Sequence, residues 1–378
     1  MYALHVKEIK EMVYADNAAT TKLDIEAFEA MKPFLLDSYS NPSQPYSFSR
    51  DSKKALKEAR NTIAMCIGAD PEEIIFTSGG TESDNWAIKC AGKNGSIVTS
   101  VIEHHAVLNS CKTFEQAGGK VSYVSVDKNG LVNIEEVEKC IDESTNLLSV
   151  MFVNNEIGTI QPISHLAKVA HNHNCLFHTD AVQAVGHIRI NVHEMDIDLL
   201  SASAHKFNGP KGIGFLFVKK GLKIASFIDG GSQEFGYRAG TENVAAIVAM
   251  AVALENNCKV IEDNKIKLRK LENRLIDGLD KLGIDYLRNG TDHNIPGNIN
   301  LSIKGFEGEA ILHRLDLMGI CVSTGSACDS VNTQISHVIK AIKVPEEYAS
   351  GTIRISLGKD NNESDIDEIL SGLGRICT

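Results

Sequence analysis

Along most of the chain, short apolar runs alternate with longer stretches in which apolar residues recur at helical spacing. The runs Ile74 to Thr77, Ile97 to Ser100, Val121 to Val126, Leu147 to Val153, Leu176 to Thr179 and Leu199 to Ser203 read as strands, and another apolar run covers Ile213 to Val218. Between them, Glu82 to Cys90, Ala106 to Ala117, Ile134 to Ile141 and Ile163 to His173 carry the helical period. Strands that are apolar throughout belong to a sheet covered on both faces, and strand-helix alternation predicts a mostly parallel one. Ligands of such sheets lie at the carboxyl ends of the strands. From Asn243 the pattern changes to a long helical stretch. Strand candidates follow at Asn298 to Ile303 and Thr352 to Leu357, with helices at Glu307 to Met318, Gln334 to Ala341 and Glu363 to Leu373. The pattern predicts an α/β protein with a large domain over residues 14–257 and a smaller α+β domain formed by 1–13 and 258–378.

Composition narrows the functional classes. With 43% hydrophobic and 23% charged residues, the 378-residue chain has the balance of a globular enzyme. Its formal net charge of -11, without a basic cluster, argues against nucleic acid or an anionic membrane as the main partner. No apolar run approaches the length of a membrane span. Nine cysteines are scattered without paired spacing, and Met1 to Val13 does not read as a signal peptide. Both features point to a reducing cytoplasm rather than a disulfide framework.

Candidate chemistry gathers at the predicted strand ends. Lys206 stands between the small polar segment Ser201 to Ala204 and the Gly209-Pro210 turn, ahead of an apolar strand, where solvation explains it poorly. A desolvated lysine is a usable amine nucleophile for Schiff-base chemistry, and a loop lysine bonding nearby carbonyls is the equal alternative. Ser78-Gly79-Gly80-Thr81 joins a strand to a helix start, a place for an anion such as phosphate, although a capped glycine turn has the same pattern. Asp180, leaving an apolar strand, needs a partner such as a protonated heteroaromatic nitrogen, unless it only caps the next helix. His104 follows another strand and could stack on a planar cofactor or serve structure alone. The set His171, His173, Cys175 and His178 invites a metal reading, but its members fall on two different predicted elements and need not converge. Cys328 sits among small residues in Ser323 to Ser330, where a thiol could react as thiolate. Arg354, on a predicted strand, suits either a carboxylate ligand or a structural ion pair.

Together these stretches resemble the cysteine desulfurases of the NifS/IscS type, which belong to the class V aminotransferase group of pyridoxal-phosphate (PLP) enzymes. The likeness runs from Tyr14-Ala15-Asp16-Asn17-Ala18-Ala19-Thr20-Thr21 to Ile353-Arg354-Ile355-Ser356-Leu357-Gly358. It includes Asn41-Pro42-Ser43, Val153-Asn154-Asn155-Glu156-Ile157-Gly158 and Arg238-Ala239-Gly240-Thr241-Glu242-Asn243. The resemblance implies fold type I, with a seven-stranded, mostly parallel sheet. It implies pyridoxal 5'-phosphate bound through Lys206, with Asp180 on the ring nitrogen, Gln183 on the phenolic oxygen and His104 stacked on the ring. Gly80, Thr81, Ser203 and His205 would hold the phosphate, together with Thr241 supplied across a homodimer interface. Asn155 and Arg354 would hold the carboxylate of L-cysteine. Lys206 would take the Cα proton, and Cys328 would attack the substrate sulfur and carry it as a persulfide to an acceptor in iron-sulfur cluster assembly or tRNA thiolation, leaving alanine.

The sequence also departs from the family pattern. Gln44, Pro45 and Tyr46 replace a usual serine and histidine after Asn41-Pro42-Ser43, Ser232 stands for glycine, Phe235 for arginine, and Thr333-Gln334-Ile335 for the usual Glu-Pro. Two rival readings follow. A selenocysteine lyase or other class V aminotransferase-like enzyme would not need Cys328, and a non-catalytic cofactor-binding regulator would account for the altered mouth residues Tyr46 and Phe235.

Overall fold

The computed structural model describes residues 12–378 except 92, 94 and 325–334. Cys328 therefore lies outside the described residues. In chain order the strands are β1 Val13–Tyr14, β2 Ile74–Thr77, β3 Ser96–Ser100, β4 Val121–Val124, β5 Thr145–Ser149, β6 Leu176–Asp180, β7 Leu199–Ser203, β8 Gly214–Val218, β9 Tyr286–Asn289, β10 Asn298–Ile303, β11 Ile320–Cys321 and β12 Thr352–Ser356. They fall into two compact units. The larger comprises Thr20–Asn155 and Thr159–Ile261, and the smaller the described residues up to Ala19, Glu156–Gly158 and Glu262–Thr378. The boundary expected between residues 257 and 258 lies inside the helix Val244–Lys259, so the chain parts a few residues later. Residues 14–19 go with the smaller unit because β1 pairs with β11.

In the larger unit, the sheet order is β2-β8-β7-β6-β5-β3-β4. The strands from β7 to β4 run parallel to their neighbours. Helices His105–Gln116, Ile134–Cys140 and Ile163–Asn172 make crossovers between them. Strand β8 instead runs antiparallel to both β7 and β2. The connection over residues 204–213 explains this, because a parallel crossover takes about a dozen residues or more. Every residue of β2, β3, β7 and β8 is buried, as continuous apolar runs require. Ile75, Trp86, Ile88, Ile97, Leu147, Leu199 and Leu216 pack in one cluster, each worth about 1.5–3 kcal/mol on removal from water.

The smaller unit has its own core. Its antiparallel sheet β12-β10-β9 packs Ile299, Leu301, Ile353 and Ile355 with Leu271, Leu275 and Leu279 of the helix Ile261–Leu282 and Ile369 of the helix Glu363–Cys377. Apolar residues at i and i+4 along Leu271, Leu275 and Leu279 give that helix the face it buries.

Candidate active site

Strand β7 delivers Ser203, and the turn Ala204–Lys206 that follows carries His205 and Lys206. This turn is held on both sides of the lysine. Phe207 is buried at 0% exposure and its N–H donates to Ala204 O at 3.1 Å, while His187 Nε2 lies 2.8 Å from Lys206 O and Asn257 Nδ2 donates to Phe207 O at 2.8 Å. At Gly209 a Cβ would stand 2.7 Å from Ala204 Cβ, so only glycine lets the chain double back here. Lys206 itself is half-buried.

Two other strand ends converge on it. Asp180 ends β6 at 5% exposure, its Oδ1 accepting from Val182 N–H at 3.0 Å. Burial pushes the Asp180 carboxyl up, while the neighbouring His104, the Val182 N–H and Lys206 pull it back. His104 is the N-cap of the helix His105–Gln116. Its Nδ1 accepts from Ala106 N–H at 3.1 Å, which leaves Nε2 for the proton of the neutral ring. Burial lowers the His104 value against the pull of Asp180. Burial and the neighbouring Lys206 and Lys211 take His205 down to about 4, and its Nδ1 lies 3.1 Å from Thr20 Oγ1. A neutral imidazole at that position can donate one hydrogen bond without adding charge.

The loop after β2 approaches the same ends. A Cβ on Gly80 would lie 2.5 Å from Val182 Cγ2 and 3.7 Å from Ser203 Cβ, so the glycine keeps the Gly80-Thr81 backbone against the turn after Asp180 and the end of β7. Beside Thr81 and His104 lies a cavity of about 320 Å³, lined also by Asn85, His105, Asn109 and Thr113. Space left by missing Cβ atoms, hydroxyls at Thr81 and Ser203, an acid at Asp180 and an amine at Lys206 fit a flat, phosphorylated, aldehyde-bearing ring whose nitrogen carries a proton. Gln183 is half-buried in the turn after β6, and Asn155 is half-buried after β5. Thr241 is exposed ahead of the helix Val244–Lys259. Its segment is tied to the Thr81 helix by Arg238, which donates to both oxygens of Glu82 at 2.9 and 3.2 Å.

In the smaller unit, Arg354 on β12 is 2% exposed and donates to Asp16 Oδ1 at 2.7 Å. The ion-pair alternative is thus present on this arginine. The metal reading fails on geometry, because His171 reaches Asp196 and Asp198 at 2.8 and 2.7 Å. His178 instead points into the core of the sheet between Ser149 and Ser201.

Sequence reasoning left Asp84 and Glu103 without roles, and the structure buries both near Asp180, with 1% and 0% exposure. The spacing Thr81-x-x-Asp84 was the available signal, since it puts the acid about one turn into the helix on the side of the sheet.

Comparison with known proteins gives a consistent picture. The family model described as aminotransferase class-V matches residues 13–369. The chain is 48% identical over 374 residues to the cysteine desulfurase IscS of Dictyoglomus turgidum, covering 97% of this chain and 95% of that relative. To the cysteine desulfurase IscS of Methanosarcina thermophila it is 46% identical over 371 residues, covering 97% and 92%. Among solved structures, a NifS-like protein superposes with a TM-score of 0.91 at 37% identity, over 97% of this chain and 99% of that one. A structure described as SspA in complex with cysteine gives 0.82 at 36% identity, over 91% and 98%.

Proposed function

Because the chain belongs to the class V aminotransferase family, whose members are generally PLP-dependent, we propose that it is a cysteine desulfurase that converts L-cysteine to L-alanine and passes the sulfur to an acceptor. The convergence of Lys206, Asp180 and His104 at neighbouring strand ends is the observation that carries the reading. Gly80, Thr81, Ser203 and His205 would hold the phosphate, Gln183 would bond the phenolic oxygen, and Asp180 would pair with the ring nitrogen. Bound there, pyridoxal 5'-phosphate supplies an electron sink for negative charge developing on the substrate.

The chain's own residues do the rest. Lys206 anchors the cofactor and then moves the Cα proton, which its place in a pinned turn suits. His104, neutral and held by the Ala106 N–H, would pack against the ring of the cofactor and fix its orientation. Asn155 and Arg354 hold the substrate carboxylate. Cys328 accepts the substrate sulfur as a persulfide and presents it to an acceptor protein. Thr241 serves the phosphate site of a second copy, making the enzyme a homodimer. Eight free cysteines among the described residues suit a reducing cytoplasm. No single helix among the described residues is long and apolar enough to cross a membrane.

The test is release of alanine and sulfide from L-cysteine in the presence of a thiol reductant. We expect turnover in the wild type and its loss, by about a thousandfold or more, in both Lys206→Ala and Cys328→Ser. The yellow absorption of lysine-bound cofactor should vanish only in the lysine variant. Full sulfide release by Cys328→Ser would reject the persulfide route, and turnover without Lys206 would reject the site.

A further inference from the structure

With Asp180 assigned to the ring nitrogen, a second buried acid beside it has no role. Asp84 lies on the helix Gly80–Trp86 at 1% exposure. Its carboxylate, that of Asp180 and a ring nitrogen of His104 all lie within 4.8 Å of one another. Among the described residues Asp84 Oδ1 has no hydrogen-bond partner. His178 Nε2 stands 3.8 Å from that oxygen, too far to satisfy it, and is 3.0 Å from Ser201 Oγ instead. The other His178 nitrogen is 2.8 Å from Ser149 Oγ.

Two carboxylates this close in a dry interior do not both ionise. Which one keeps the proton follows from what faces each. Asp180 has the Val182 N–H at 3.0 Å and faces Lys206 and the His104 ring, both of which favour its ionised form. Asp84 faces Asp180 and Glu103, both acids, with the Ser201 hydroxyl as its polar support. His178 offers it no charge, because full burial takes that imidazole down to about 3.

We propose that Asp84 is a positioning residue that stays a neutral carboxylic acid, so that Asp180 alone presents buried negative charge to the cofactor's ring nitrogen. An ionised Asp84 would split that charge over two sites and draw the ring proton, Lys206 and His104 toward the wrong carboxylate. The neutral acid also explains how an oxygen without a partner is tolerated, since an orphaned carbonyl oxygen costs far less than an orphaned carboxylate. The proposal rests on the assignment of Asp180 given above.

Infrared spectra of the holoenzyme carrying 13C-labelled aspartate test it, because the label separates Asp84 from the buried Glu103. At neutral pH the wild type should show a carboxylic-acid C=O stretch from aspartate that is missing in Asp84→Asn, and in the wild type alone this band should fade only under alkaline conditions. An aspartate carboxylic-acid band that is absent at neutral pH, or unchanged in the variant, overturns the proposal. As a second readout, Asp84→Asn, which is neutral and of the same shape, should keep cofactor affinity and visible absorption within about twofold of wild type. Cofactor binding weakened tenfold or more at unchanged Tm would mean that the ionised acid is needed, and would equally overturn it. Asp180→Asn separates the two readings. Loss of cofactor affinity is expected there; retention would remove Asp180 from the ring nitrogen while leaving the infrared result on Asp84 intact.

Discussion

Glu272 in the smaller unit and Asp84 in the larger one are buried alike, at 0% and 1% exposure, but their surroundings differ in kind. Glu272 accepts from Arg269 Nη1 at 2.8 Å, from Arg288 Nη2, and from Gly297 N–H at 3.1 Å, so cations and a backbone donor meet both of its oxygens. Asp84 has acids as neighbours and one oxygen unmet. The first arrangement is finished by folding. The second leaves a buried acid that folding has given acidic neighbours and no full set of partners. A buried carboxylate with matched partners keeps its charge and serves structure, whereas a buried acid without them keeps its proton, and groups shifted in this way cluster at functional sites.

The comparison breaks first at Glu272. Replacing it by alanine strands two guanidinium groups that are 34% and 25% exposed and leaves the Gly297 N–H unmet. A loss of about 3 kcal/mol in unfolding free energy is expected, read as a fall in the urea midpoint at constant slope. A loss below about 1 kcal/mol would place this network with ordinary surface pairs and remove the contrast. Asp84→Asn sharpens the same point from the other side, since removing a charge that is not there should leave the midpoint almost unmoved.

Much of this was legible in the chain because it depends on local pattern. Continuous apolar runs marked β2 and β7 residue for residue, since a strand buried on both faces cannot alternate. Ser203 was singled out by the family resemblance alone, but the strand-end positions of Lys206, Asp180, His104 and Thr81 were legible for a related reason. Polar residues directly after such runs stand at strand ends, where a parallel sheet keeps its ligands. Direction was less legible, because antiparallel β8 depends on the short return over residues 204–213 rather than on its own composition. Partners distant in sequence were invisible as well. Arg354 reads as a strand arginine, but nothing local announces Asp16, which lies 338 positions away. Asp84 was missed for the opposite reason. Within Thr81-Glu82-Ser83-Asp84 it reads as one more acid in a helix first turn, favoured there by the dipole. Only the packing of the helix against the sheet turns Glu82 toward Arg238 and Asp84 toward Asp180.

Glu103 offers the finest test of the same contrast. It is fully buried, and its Oε1 accepts from Ser100 Oγ at 2.5 Å and from Met151 N–H at 3.0 Å, with Oε2 also 3.0 Å from that N–H. The Ser100 hydroxyl and the Met151 N–H are neutral donors. Burial therefore pushes its carboxyl from an ordinary 4.5 up to about 8, against the pull of the Ser100 and Met151 hydrogen bonds. The folded protein holds this proton more tightly than the unfolded chain does. Its contribution to stability is complete below the unfolded value of 4.5 and is lost as pH rises to about 8. Glu103→Gln keeps the shape and the Oε1 acceptor but has no proton to lose. The variant should match the wild type near pH 4.5 and then become more stable by an amount that grows to roughly 1–3 kcal/mol by about pH 8. Thermal unfolding of both proteins across that range measures it. A Tm difference that stays constant with pH would show that Glu103 does not titrate there, and its hydrogen bonds would then place it with Glu272, among the charges that folding alone has satisfied.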